Sequence, residues 1–252
     1  MEKYFTINEE KRSIRCKIIC GDLSATDDIV IFGHGFGGHK DNRAAARLGA
    51  RLIEKNKRSA LITFDWPCHG EDARKTLTLE DCADYLRLVT AYARGHCRAK
   101  RLFGCATSFG GYLYLKAIGD GFDPFEKTAL RCPAVNMYEA LTTNILTDDE
   151  RAKMMKGKPV EAGFDRKVRI EPNFLEELKK NDITKTDYLE SAEKLMILHG
   201  TKDEIISFEA VRRFADDNLI EFVPVLNADH RFSDPKIMDL AVNTIIRFYG
   251  LK

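Results

Sequence analysis

The chain has 252 residues, a length that suits one large α/β domain, or a domain with a modest insertion, and that can bury a core without metal or disulfide staples. Lys and Arg number 40 against 39 Asp and Glu, so the formal charge of +1 gives no global pull toward nucleic acid or an anionic membrane. Seven cysteines, odd in number and without a CxxC pair, read as reduced thiols, and with no apolar leader they point to a cytoplasmic protein. No run of about 18 apolar residues is present, which argues against membrane insertion.

In chain order, Lys3–Asn8 and Ser13–Cys20, separated by the polar EEKR, read as a hairpin. Short apolar runs follow at Asp28–Phe32, Ser59–Phe64, Lys100–Cys105, Thr128–Cys132, Lys194–Leu198 and Ile220–Val225, and these read as buried parallel strands. Helical spacing fills the intervals. Cys82, Tyr85, Leu86, Val89 and Ala93 share one face behind a Thr78-x-x-Asp81 capping pair, and a helix is expected from Gly111 to Ile118. Ser233 or Asp234 caps a last helix that has Pro235 in its first turn, Gly250 after its end, and Ile237, Leu240, Ala241, Thr244, Ile245 and Phe248 on one face. Alternating strand and helix predicts an α/β fold with a mostly parallel central sheet flanked by helices.

Residues 136–187 break the rhythm, with dense charge and no evident buried strand. Adjacent core strands rarely need a connection of about 50 residues. The segment is therefore read as a short inserted cap over the carboxyl ends of the strands, on a core formed by 1–135 and 188–252. Arg151 to Arg169 holds seven Lys or Arg against two acids, read as a solvated surface, with a funnel for acidic substrates as the alternative.

Four segments bear on chemistry. Gly33-His34-Gly35-Phe36-Gly37-Gly38 follows a predicted strand, and an HG-x-G-G loop there supplies one backbone N–H to an oxyanion hole, by position that of Phe36. A dinucleotide loop is the weaker reading, because Asp65, about 27 residues beyond Gly38, is a poor substitute for the ribose-binding acid. Ala106-Thr107-Ser108-Phe109-Gly110-Gly111 lies between a strand and a helix, with small residues two before and two after Ser108. A nucleophile elbow requires that spacing, although Ala106 stands where Gly is usual. Cys105, flanked by Phe103 and Thr107 at the same offsets, is read as core. Asp203 follows the run Lys194–Leu198, where a carboxylate can orient an imidazole, and His230 lies between the last strand and the last helix. Asp229 is too close in sequence to orient the His230 ring, so Asp203 is the better partner. The remaining histidines show no metal-ligand spacing such as HExxH, so neither a metal nor a cofactor is expected. The chain order Ser108, Asp203, His230 is that of α/β-hydrolases and differs from the chymotrypsin and subtilisin orders.

At these residues the chain resembles the α/β-hydrolase superfamily over almost its whole length, through HGFGG, FDWPCHG (Phe64 to Gly70), ATSFGG, HGTKD and ADHRF in order. Within it the chain looks most like the cinnamoyl/feruloyl esterases, with the serine aminopeptidase and monoglyceride-lipase group nearly as similar. The resemblance implies Ser108 as nucleophile, His230 as base, Asp203 as its partner, and the amides of Phe36 and Phe109 as the oxyanion hole. It implies a serine esterase acting on a small carboxylic ester, aryl or cinnamoyl-type esters included, as a monomer or homodimer. An amidase or aminopeptidase, an acyltransferase and a non-catalytic binding member of the fold are the alternatives. Phe36, Met154, Met155, Phe164 and Phe174 are expected to line an apolar acyl site.

Overall fold

The computed structural model describes residues 1–9, 12–72, 74–163 and 166–251. The hairpin β1 (Glu2–Glu9) and β2 (Arg12–Cys20) opens the chain. Then come β3 (Asp28–Gly33), α1 (Arg43–Lys55), β4 (Ser59–Phe64), α2 (Leu79–Gly95), β5 (Arg101–Thr107), α3 (Phe109–Gly119) and β6 (Lys127–Arg131). The long connection that follows holds α4 (Met137–Glu139) running into a π-helical turn, α5 (Asp148–Met155), the strands β7 (Val160–Ala162) and β8 (Val168–Ile170), and α6 (Pro172–Lys180). The chain ends with β9 (Leu195–Gly200), α7 (Phe208–Asp217), β10 (Glu221–Val225) and α8 (Pro235–Tyr249).

Eight strands form one sheet in the order β1-β2-β4-β3-β5-β6-β9-β10. From β4 to β10 every neighbouring pair is parallel, and β2 joins β4 antiparallel. The sequences DIVIFG, SALITF and LMILHG are buried at every position, because helices cover both faces and leave no solvent side to alternate toward. Leu48 and Leu52 of α1 meet Met238, Val242 and Ile245 of α8 on one face. Leu86 and Val89 of α2 and Leu113 and Leu115 of α3 pack on the other. Among the described residues no helix is long and apolar enough to cross a membrane.

Caps form where the side chains allow. Thr78 accepts from the Asp81 amide at the start of α2, Asn42 from Ala45 at α1, and Asp234 (not Ser233) from Lys236 at α8. Gly250 closes α8 with φ of 71°.

Three expectations need correction. The α8 residues that pack are Met238, Ala241, Val242, Ile245, Ile246 and Tyr249, and Leu240 is 53% exposed. That helix is apolar on most sides, so spacing alone could not choose the face that meets the sheet. β10 is an edge strand with only Val225 buried, and it carries Pro224, whose missing N–H an edge tolerates. The connection after β6 contains the antiparallel pair β7-β8, whose three-residue strands are too short to display an alternating pattern.

Ile62 is fully buried in the middle of β4. Ile62→Ala is expected to lower the unfolding free energy by about 2–5 kcal/mol, read as a lower urea midpoint at unchanged slope.

Candidate active site

Ser108 sits alone between the last residue of β5 and the first of α3, with φ 52° and ψ −118°. A β-substituted residue enters that region only when its surroundings force it. The force is visible at Gly110, where a Cβ would lie 2.6 Å from the carbonyl oxygen of Gly33 and 2.7 Å from that of His34. The start of α3 is pressed against the end of β3, and Ala106, fully buried beside Gly33, fits the same squeeze. The Ser108 amide donates to the Arg131 carbonyl at 3.1 Å, tying the turn to β6. Cys105 is buried within β5, and burial pushes its thiol up to about 12, as a core residue requires.

His230 lies in the loop between β10 and α8. Its Nδ1 meets the two Asp203 carboxylate oxygens at 2.8 and 3.0 Å, and its backbone N–H donates to Glu204 at 3.2 Å. The Asp203 side chain has no exposed surface, and that of His230 is 12% exposed. Asp203 Oδ1 also accepts from the amides of Ile205 and Ile206 at 2.9 and 2.8 Å. Burial would raise the Asp203 pKa, but the hydrogen bond and charge of His230, the Ile206 amide and the Cys132 thiol outweigh it and hold the carboxyl below its ordinary value. His199 Nε2 stands 3.3 Å from Asp203 Oδ2 and donates to the Ile206 carbonyl at 3.1 Å. Burial keeps the His199 ring below its usual pKa.

Cys132, Asp203 and His230 bring ligand-type atoms within 4.8 Å of one another. Burial first, and the Asp203 charge second, push the Cys132 thiol well above its ordinary value, so this sulfur faces the carboxylate as S–H. Gly200 lets the His230 loop close on β9: a Cβ there would stand 2.3 Å from the Ala228 carbonyl oxygen. Asp229 accepts from the Ser233 amide at 2.8 Å and so braces that loop.

The loop after β3 completes the site. Gly35 packs on the serine, its would-be Cβ 3.1 Å from Ser108 Cβ. The amides of Phe36 and Phe109 donate no hydrogen bond among the described residues, the latter because the first turn of a helix leaves its N–H groups unpaired. His34 ties this loop to the segment after β4. Its Nδ1 donates to the Gly35 carbonyl at 2.8 Å, its Nε2 accepts the Trp66 amide at 3.3 Å, and its carbonyl accepts the Trp66 indole N–H at 3.0 Å. Buried Asp65 adds a second tie, accepting the amides of Lys40 at 2.6 Å and Glu71 at 2.9 Å. A Cβ at Gly70 would collide with that carboxylate at 2.2 Å.

A cavity of about 360 Å³ opens here, lined by His34, Phe36, Ser108 and His230, with Ile145 from the long connection. Ser108 and His230 thus face one space, although no hydrogen bond joins them among the described residues. The expected apolar lining is largely displaced. Phe36 lines the cavity, whereas Met154 and Phe174 are buried in the core and Met155 is 89% exposed. Phe164 lies outside the described residues. Helical spacing in a connection of this length does not reveal which apolar side chains face inward. None of the described residues between Arg151 and Arg169 lines the cavity.

Sequence reasoning passed over His69. Its ring stacks on Phe109 and meets Phe36 edge-on, its Nδ1 donates to the Pro67 carbonyl at 2.8 Å, and its buried Nε2 has no partner among the described residues. Burial lowers its pKa to about 4. The unfolded chain binds that proton near pH 6.5, so this contribution to stability is present in full above about pH 6.5 and is lost as the pH falls toward 4. The loss expected from this group is about 3 kcal/mol. Chemical denaturation at stepped pH should show it, and His69→Gln should flatten the profile by that amount.

No sequence relative among curated proteins matches the chain. Solved structures do match. Est1E of Butyrivibrio proteoclasticus with ferulic acid bound superposes with a TM-score of 0.78 at 16% identity, covering 98% of this chain and 99% of that one. A soluble variant of monoglyceride lipase from Saccharomyces cerevisiae gives 0.77 at 14% identity over 98% and 94% of the two chains. The Pyrococcus furiosus esterase Pf2001 gives 0.73 at 15% over 99% and 92%. At such identities the likeness is one of fold. The model of the alpha/beta hydrolase family matches residues 29–237, most of the length, and the chain belongs to that family.

Proposed function

We propose that this chain is a serine esterase that cleaves small carboxylic esters through an acyl-enzyme on Ser108. The observation that carries the reading is the pinning of His230 Nδ1 by a fully buried Asp203 carboxylate, on a ring that shares a cavity with a serine held at a strained elbow. With Nδ1–H bound to Asp203, the lone pair is left on Nε2, the atom that must take the serine proton. Catalytic hydrogen bonds of this kind are often long before substrate binds.

In the proposed mechanism His230 Nε2 removes the Ser108 proton as Oγ attacks the acyl carbon. The carbonyl oxygen becomes an oxyanion that accepts from the amides of Phe36 and Phe109, each worth about 3–4 kcal/mol in a comparable hole. The C–O bond breaks, the alcohol leaves with the proton from His230, and the acyl group remains on Ser108. Water, deprotonated by the same imidazole, attacks the acyl-enzyme, and the acid departs as Oγ regains its proton. Asp203 stays ionised throughout and stabilises the imidazolium. The segment 136–187 is proposed to act as the cap that limits what enters, with Ile145 as its contribution to the cavity.

A fluorophosphonate probe is expected to label the wild-type chain and not Ser108→Ala. Ser108→Ala and His230→Ala should each lose at least about 10³-fold in kcat on p-nitrophenyl acetate. Labelling that survives in Ser108→Ala, or folded wild type that neither labels nor turns over ester, would overturn the proposal and favour a binding member of the fold.

A further inference from the structure

Arg131 ends β6 beside the elbow. Its Cα is paired with that of Thr107, and its carbonyl accepts the Ser108 amide at 3.1 Å. The residue is only 9% exposed, and its side chain lines the Ser108 cavity. A buried guanidinium normally finds a carboxylate, because removing a cation from water is costly without one. The other buried cations obey that rule: Lys17 is met by Glu2 and Asp41, and Lys40 by Asp41, Asp65 and Glu71.

Arg131 forms no ion pair among the described residues. Its Nη1 has two long contacts, to the Arg231 carbonyl and to Met238 Sδ, both at 3.5 Å. Its guanidinium lies over Phe232 at 5.1 Å, and its buried Nε has no partner among the described residues. The acids whose charge reaches it are Asp229 and Asp203, and both are engaged elsewhere, with Ser233 and with His230, Ile205 and Ile206. Burial lowers the Arg131 pKa, but a guanidinium keeps its charge in proteins.

The cavity is electropositive beyond this one group. Asn42, the N-cap of the 13-residue α1, and Arg43, its first residue, also line the cavity; Arg43 Nη1 donates to the Ser233 carbonyl at 3.3 Å, and a helix start favours anions. No Asp or Glu is among the described lining residues.

We infer that the cavity selects esters whose acyl part bears a carboxylate, seated on the Arg131 guanidinium with Arg43 and the start of α1 beside it. This specificity rests on the serine-esterase reading above. A carboxylate supplies the planar acceptor pair that the guanidinium fork lacks, and it would complete a cation that the described residues leave without an acid. Arg131 is then a specificity-determining residue that leaves the bond-breaking groups untouched.

The test compares monomethyl succinate, an anion, with methyl pentanoate, a neutral ester of similar length, by pH-stat hydrolysis. Wild type should favour the anion in kcat/KM by about 10- to 100-fold. In Arg131→Gln that ratio should fall toward one, with the loss mainly in KM, and Arg131→Lys should recover part of it. A wild-type ratio near one, or an unchanged ratio in folded Arg131→Gln, overturns the inference. Calorimetric titration of the wild type with succinate and with succinamide decides it without a variant or turnover: succinate alone should bind, and equal or absent binding overturns it. If neither ester is hydrolysed while succinate binds, the esterase reading falls and the anion site stands.

Discussion

The bond from His230 Nδ1 to the sealed Asp203 carboxylate is the contact around which the carboxyl end of the sheet is organised. A carboxylate without exposed surface must have its oxygens occupied, or burial would drive it to the neutral form. Two amides of the turn that follows it, a thiol and two imidazoles surround Asp203. Ionised Asp203 in turn selects the tautomer of His230, so the protonation of one buried acid fixes which nitrogen of an imidazole faces the cavity.

The opposite wall is built by the same logic, through backbone amides that meet an imidazole and a second buried carboxylate. The loop Gly33–Gly38 turns on a bond from the Gly38 amide to the Gly35 carbonyl at 3.0 Å. It is held by Trp66 through two bonds to His34 and, at Lys40, by the buried carboxylate of Asp65. The stretch Phe64 to Gly70 therefore serves as a brace for a neighbouring loop, and the rings of His69, Phe36 and Phe109 fill the space behind it.

Much of this was legible in the sequence where the signal is local. The buried strands appear as unbroken apolar runs, the elbow as small residues two either side of Ser108, and two helix starts as Thr78 and the Ser233–Asp234 pair. Groups whose meaning depends on a distant partner were not legible. Glu204 reaches the His230 amide across 26 residues, and Trp66 reaches His34 across 32. Arg131 falls within the apolar run Thr128–Cys132, and nothing in its sequence neighbours shows that it is buried with no carboxylate beside it among the described residues. Cavity-lining residues were the least legible, because the pattern of the 136–187 segment shows that side chains are apolar but not which way they point.

Gly200 ties two of these regions together. Where β9 ends, the histidine loop passes so close that only a hydrogen atom fits between them. The height at which the imidazole rides above the sheet is thus set by a missing side chain thirty positions upstream. A single added methyl would act as a wedge, lifting the Ala228 turn and swinging the ring away from its acid without altering any polar group. Alignment at this edge is a matter of clearance as much as of charge.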